Sequence, residues 1–190
     1  MAQKAYIALG SNVEDRLVYL KSALEHLFRI GCEIAGVSSV YETEPVECYG
    51  GWFLNAVVSV HYNGSADDLL CELKSIEDAI GKNKQNDEFE KHAVCKGDKP
   101  DQPQNPKQWS YKKARCIDLD LIFFGSQCVD NEQLVLPHLR IQERRFVLAP
   151  ICDLDPSFVH PVLGVAVRDL FLQLTDSHIV IKTALKLTGK

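Results

Sequence analysis

The chain opens on an alternation of apolar and polar positions. Lys4 to Gly10 (KAYIALG) has the period of a strand and ends at Gly10-Ser11-Asn12, where glycine accepts a sharp turn and Ser or Asn can cap a helix. Leu17, Leu20, Leu24 and Leu27 then recur at three and four residues, which predicts a helix from about Val13 to Ile30 with Glu14, Asp15, Lys21 and Glu25 in water. Glu33 to Thr43 is rich in β-branched and aromatic residues (Ile34, Val37, Val40, Tyr41). Phe53 to Tyr62 (FLNAVVSVHY) repeats that signal after a loop holding Pro45, Gly50 and Gly51, so two more strands are predicted. Asn63-Gly64 turns the chain. Ser65 with Asp68 has the spacing of a capping box, opening a helix that carries Leu69, Leu70, Leu73, Ile76 and Ile80 and ends near Gly81.

From Gly81 to Cys116 there is no Leu, Ile or Met and only one Val, while Lys, Asp, Asn, Gln and three prolines accumulate. Such a stretch cannot bury a core face, so residues 82–114 are expected to form a long mobile polar loop. Arg115 to Phe124 (RCIDLDLIFF) returns as an apolar strand and completes the order βαββαβ. This predicts an α+β fold with a ferredoxin-like core, an antiparallel sheet covered by helices. A short strand pair near Val129 and Leu134 to Leu136, then helices near Glu143 to Ala149 and Val167 to Leu174, should follow. With 190 residues and 46% hydrophobic content, the whole of 1–190 reads as one domain.

Charge narrows the partners. The net charge is −5 and both signs are mixed along the chain, so nothing offers the continuous positive surface that nucleic acid requires. No apolar run approaches the roughly 20 residues that span a bilayer, and the N-terminus enters its strand pattern at once; a soluble, cytoplasmic protein is expected. Seven scattered cysteines, with no Cys-x-x-Cys pair, read as free thiols.

The chemistry concentrates at Asp118 and Asp120, which interrupt an apolar strand. A period of two points both carboxylates to one face with α-carbons about 6.6 Å apart, while Ile117, Leu119 and Leu121 fill the other. Paired carboxylates repel one another unless a cation or proton intervenes, and hard oxygen ligands suit Mg²⁺, particularly one also held by phosphates. The same pattern is open to two other readings: an edge strand with acids facing solvent, or one of the phosphatases and sugar-nucleotide transferases that also use Asp-x-Asp.

The chain thus carries AYIALGSN (5–12), YETEP (41–45), FLNAV (53–57), Ile76-Glu77, ARCIDLDLIFFG (114–125), and LPH followed by ERRFVLAP up to Pro150. In this joint order, over roughly the first 150 residues, the chain resembles the 6-hydroxymethyl-7,8-dihydropterin pyrophosphokinases. The resemblance implies that the pterin hydroxymethyl oxygen attacks the β-phosphorus of ATP in line and AMP leaves, with two Mg²⁺ ions held by Asp118 and Asp120. It implies that Gly10, Thr43, Glu44 and Val46 enclose the pterin mainly through their backbone, that Asn55 hydrogen-bonds the ring, and that Phe53 and Phe146 sandwich it. Around ATP it places Glu77, Lys82, Lys84, Arg115, His138 and Arg144, with Leu121 and Val135 at the adenine; Arg115 and Lys82 join the two acids as catalytic. It also leaves room for fusion to, or cooperation with, other folate-pathway enzymes.

The departures are local. The family loop before the metal pair is far shorter and carries an Arg-Trp-Gly-Pro-Arg run, where this chain has Tyr111, Lys112, Lys113, Ala114 and Arg115. Lys82 and Lys84 keep charge but lose the planar fork of arginine, and Glu44 replaces a common proline. Two rival readings follow: a phosphohydrolase with Asp118 as nucleophile, and a non-catalytic ferredoxin-like module that binds pterin or nucleotide.

Overall fold

The computed structural model describes residues 1–13, 15–46, 51–82 and 116–188. The expected polar loop, 82–114, therefore lies outside the described residues apart from the backbone of Lys82, as do Lys84 and Arg115.

The elements run β1 (Gln3–Ser11), α1 (Arg16–Arg29), β2 (Glu33–Val37), β3 (Tyr41–Thr43), β4 (Phe53–Tyr62), α2 (Ala66–Lys82), β5 (Asp118–Phe124), β6 (Val129–Asp130), β7 (Val135–Leu136), a 3-10 turn (Ile141–Glu143), α3 (Arg145–Leu154), α4 (Val167–Gln173) and β8 (Val180–Lys182). The fold is α+β. Its main sheet has the order β5-β1-β4-β3-β8, every pair antiparallel, and β2 also pairs β4. β6 and β7 form the expected separate pair.

One core fills the space between the sheet and helices α1 and α2, with Ile7, Leu9, Leu20, Leu27, Leu69, Leu73, Leu119 and Leu121 at its centre. The second lies on the opposite face, where Tyr6, Val57, Ile122 and Phe123 meet Val147, Leu148 and Ile151 of α3 and Val167 of α4. Helices thus cover the sheet on both faces, which is why β4 is buried almost throughout. At β5 the pairing shifts between Tyr6 and Ile7, so that Tyr6 faces Phe123 and Ile7 faces Leu121. The extra residue, Ile122, lets two consecutive side chains enter the second core.

Four details depart from the periodicity. The predicted strand 33–43 is two strands lying along the same edge of β4, because Ser38 breaks the ladder: its Oγ accepts the Val57 N–H at 2.9 Å and takes over a bond that a backbone carbonyl would make. α1 starts later than expected, with Asp15 rather than Ser11 or Asn12 at its N-cap, in a left-handed conformation (φ 62°). α3 does not stop before Pro150 but runs through it to Leu154, since Val147 to Ile151 are all buried against the sheet and that burial outweighs one lost backbone bond. β8 closes the β3 edge and has no counterpart among the predicted strands. The capping box of α2 forms: Ser65 Oγ accepts the Asp68 N–H at 3.1 Å and Asp68 Oδ2 accepts the Ser65 N–H at 3.0 Å.

The described cysteines, Cys32, Cys71, Cys116, Cys128 and Cys152, are free. No described helix is long and apolar enough to cross a membrane.

Candidate active site

Register brings distant residues into rows. Asp118 of β5 pairs Gly10 of β1, Gly10 pairs Asn55 of β4, and Asn55 pairs Tyr41 of β3. Directly opposed residues project to the same face, here the α3 face, since Tyr6 and Gly10, or Val57 and Asn55, differ by an even number of positions. A neighbouring pair sets Thr43 against Phe53. One acid, the amide and two residues predicted to enclose a ligand therefore share one end of one sheet face.

Asn55 is buried and held: its Nδ2 donates to Thr43 Oγ1 at 2.7 Å. Its Oδ1 lies over Gly10, where an added Cβ would approach to 2.9 Å. Phe53 flanks the same spot, its ring 3.8 Å from that Cβ position. Arg16, which the sequence did not single out, braces the wall. Its Nη1 donates to the carbonyl of Trp52 at 2.7 Å and its Nη2 pairs with Glu42 Oε1 at 2.8 Å, fixing the residues that precede Phe53 and Thr43.

β5 is the last strand at its end of the sheet, and its outward Leu119 N–H donates to Glu77 Oε1 of α2 at 2.7 Å. Glu77 thereby ties the segment between the two acids. Asp118 is half-buried and Asp120 more exposed. His138 stands beside the second acid, Nε2 at 3.9 Å from Asp120 Oδ1, and its N–H donates to the carbonyl of Ile122 at 3.0 Å. It follows directly on the cis Leu136-Pro137 bond. Leu121 points into the α1/α2 core, so only its backbone is offered to a ligand. Val135 lies in β7 opposite Asp130.

Phe146 lies in the first turn of α3, packs partly against the second core, and lies under the Arg144 guanidinium, 5.9 Å from its ring centroid. Val46, Arg144 and Phe146 line a cavity of about 670 Å³ whose other side is formed by 175–178. Phe53, Asn55 and Gly10 do not line it. Glu44 turns away from the cluster: its N–H donates to the carbonyl of Ile179 at 3.1 Å, and its Oε2 accepts the Ile179 N–H at 2.9 Å.

Behind Tyr41, its hydroxyl donates to Asp153 Oδ2 at 2.9 Å and Lys182 Nζ lies 3.0 Å from Asp153 Oδ1. Burial, and then the Asp153 carboxylate, push the Tyr41 phenol well above its ordinary range. It stays a neutral donor.

The family model described as 7,8-dihydro-6-hydroxymethylpterin-pyrophosphokinase matches residues 6–156. The chain is 32% identical over 178 residues to the folic acid synthesis protein fol1 of Pneumocystis carinii, which covers 93% of this chain but 21% of that protein. It is 32% identical over 178 residues to a 2-amino-4-hydroxy-6-hydroxymethyldihydropteridine pyrophosphokinase of Methylorubrum extorquens, covering 93% of this chain and 96% of that one. The crystal structure of Plasmodium falciparum HPPK-DHPS wild type shares the fold, with a TM-score of 0.60 at 15% identity over 91% of this chain and 45% of that chain. The chain thus spans about a fifth of the Pneumocystis protein and under half of the Plasmodium one, but nearly all of the bacterial relative. With a family model covering most of its length and a bacterial relative matched almost end to end, the chain belongs to the 7,8-dihydro-6-hydroxymethylpterin-pyrophosphokinase family.

Proposed function

We propose that this chain transfers a diphosphoryl group from ATP to the hydroxymethyl oxygen of 6-hydroxymethyl-7,8-dihydropterin, releasing AMP, as a step of folate synthesis. The observation that carries the reading is the cross-strand row of Asp118, Gly10 and Asn55, in a chain of this family. In this reading Asn55 orients the pterin edge, Phe53 and Phe146 hold its faces by offset stacking, worth about 0.5 to 1.5 kcal/mol beyond burial, and His138 and Arg144 donate to phosphate oxygens. Thr43 keeps the Asn55 amide in one orientation, and Glu77 keeps β5 in register beneath the acids. Lys82, Lys84 and Arg115 are assigned to the phosphates on the sequence match alone.

The donor set fits Mg²⁺. Two carboxylates, Asp118 and Asp120, stand two residues apart on β5 and offer hard oxygens from one face. That suits an ion which keeps most of its sphere for water and phosphate. Two Mg²⁺ ions bound at Asp118 and Asp120 would offset charge on the attacking and leaving oxygens.

The strand order supports a ferredoxin-like core within one pyrophosphokinase domain spanning 1–190. That the chain spans about a fifth of the Pneumocystis folic acid synthesis protein supports cooperation with a further folate enzyme, and a cytoplasmic setting belongs to the same reading. The test is a coupled AMP-release assay with ATP, Mg²⁺ and the pterin. One AMP per diphosphorylated pterin is expected; release of ADP or phosphate independent of pterin, or no AMP, overturns it.

A further inference from the structure

The family match ends at residue 156, yet the chain beyond it returns to the candidate site. After α4, the segment from Leu174 to Lys182 runs across the first turn of α3 and along the β3 edge. It is anchored three times. Asp176 Oδ2 accepts the N–H of Arg145, the first residue of α3, at 3.1 Å, and Arg145 Nε donates to the Asp176 carbonyl at 3.0 Å. Ile179 exchanges two hydrogen bonds with Glu44, one to its carbonyl and one from its N–H. Val180, Ile181 and Lys182 then pair Thr43, Glu42 and Tyr41 as β8. From the residue before the first anchor up to the second, Thr175 to His178 line the same cavity as Val46, Arg144 and Phe146.

We propose that Thr175 to His178 wall the Phe146 side of the pterin site, across the cavity that Val46 and Phe146 line and Phe53, Asn55 and Gly10 do not, and that Asp176 is a positioning residue for Phe146. The proposal rests on the pyrophosphokinase reading. A carboxylate accepting the first N–H of a helix is favoured by the helix dipole and satisfies one of its open donors. Here that carboxylate comes from 31 residues away, so the direction of the first turn of α3, and with it Phe146, is set by the C-terminal segment. Arg145 strengthens the hold by lying over Phe171 of α4, 5.4 Å from the ring centroid. The opposite wall is tied to the same segment through Glu44. That position uses both a backbone N–H and a side-chain carboxylate, and a proline, which has neither, could not make the contact. Burial opposes the ionised form of Asp176, but hydrogen bonds from His178 and the Arg145 N–H outweigh it and keep it a charged acceptor.

Three variants of the full chain test this with steady-state AMP release: Asp176→Ala, Asp176→Asn, which keeps one acceptor oxygen for the Arg145 N–H, and Ser177→Trp, which fills the cavity from an exposed position. Asp176→Ala should raise the pterin KM about tenfold, with the ATP KM and kcat changed less than about twofold. Asp176→Asn should recover most of the loss, and Ser177→Trp should raise the pterin KM alone. A purely structural contact would lower thermal stability and the active fraction, leaving the pterin KM in place; that outcome overturns the inference. If Asp176→Ala does not fold, Ser177→Trp decides, and an unchanged pterin KM refutes the wall. A wild-type chain that neither binds pterin nor releases AMP defeats the pyrophosphokinase reading first, whereas an active wild type with unmoved variants defeats this inference alone.

Discussion

Gly10 and Asn55 face each other across the β1–β4 ladder so closely that a Cβ on Gly10 would meet Asn55 Oδ1 at 2.9 Å. The amide cannot swing aside freely, because its nitrogen is bonded to Thr43 at 2.7 Å. Gly10→Ala should therefore displace the amide, costing about 1 to 3 kcal/mol of stability as an overpacked contact and weakening pterin binding by about tenfold or more. Calorimetry with the pterin checks it. Full affinity in a variant whose melting point has fallen would mean that the amide plays no part in binding.

Thr43 and Asn55 separate two contributions. Asn55→Ala removes the group that reads the ring and should weaken pterin binding while leaving ATP affinity almost unmoved. Thr43→Val keeps the amide but removes its acceptor, leaving a buried donor unsatisfied at about 1 to 3 kcal/mol. Its pterin affinity should fall less than that of Asn55→Ala, and its stability more. The reverse ranking, read by calorimetry and thermal melts together, would make the pair structural.

The two acids should behave differently from these neighbours. Asp118→Ala and Asp120→Ala are each expected to cut turnover by orders of magnitude, since Mg²⁺ charge stabilisation supplies several kcal/mol of the barrier. Asp120 is exposed, so its loss should leave the unfolding free energy within about 0.5 kcal/mol of wild type. Mg²⁺ titrations of AMP release provide the check; near-normal rates in both variants would remove the metal from this strand.

Periodicity was enough for the strands of the main sheet up to Phe124, for both amphipathic helices and for the shared face of Asp118 and Asp120, because each depends on spacing within one segment. The split at Ser38 escaped it, since a side-chain hydroxyl replacing a ladder acceptor leaves no trace in an apolar pattern. So did the passage of α3 through Pro150, where burial overrides propensity. The row of Asp118, Gly10 and Asn55 exists only through pairing between strands far apart in sequence, so it could be inferred from the motif resemblance but not from any local window. Arg16 and Asp176 had no signal at all: each looks like an ordinary polar surface residue, and their partners stand 36 and 31 residues away.

The pH dependence of stability should carry the mark of one cluster that ties β1 to the end of α3. Asp155, at the α3 C-cap, accepts from Lys4 Nζ at 3.0 Å and from the Tyr6 hydroxyl at 2.8 Å. Burial works against its ionised form, but hydrogen bonds from Lys4, Tyr6 and Ser157 outweigh that and hold its pKa below 3.8. A depressed carboxyl stabilises the fold above pH 3.8, and its contribution disappears as pH falls through the lower folded value. Tyr6 has the opposite sign: burial, chiefly, raises its phenol from 10.0 to about 12. Its contribution is complete below pH 10 and is lost as pH rises toward 12, on the order of 2 kcal/mol over that window. Denaturant unfolding across the pH range should therefore show a plateau bounded by an acid and an alkaline edge. Asp155→Asn should make the acid edge shallower, since the amide cannot titrate, while the depressed Asp153 and Asp176 carboxyls keep the remainder. Tyr6→Phe should make the alkaline one shallower, the raised Tyr41 phenol keeping the remainder, and should keep the ring packed against Phe123 and Phe158, whose centroids lie 6.0 and 5.0 Å away. If Tyr6→Phe loses stability between pH 10 and 12 as steeply as wild type, the alkaline edge arises elsewhere and the cluster contributes packing alone.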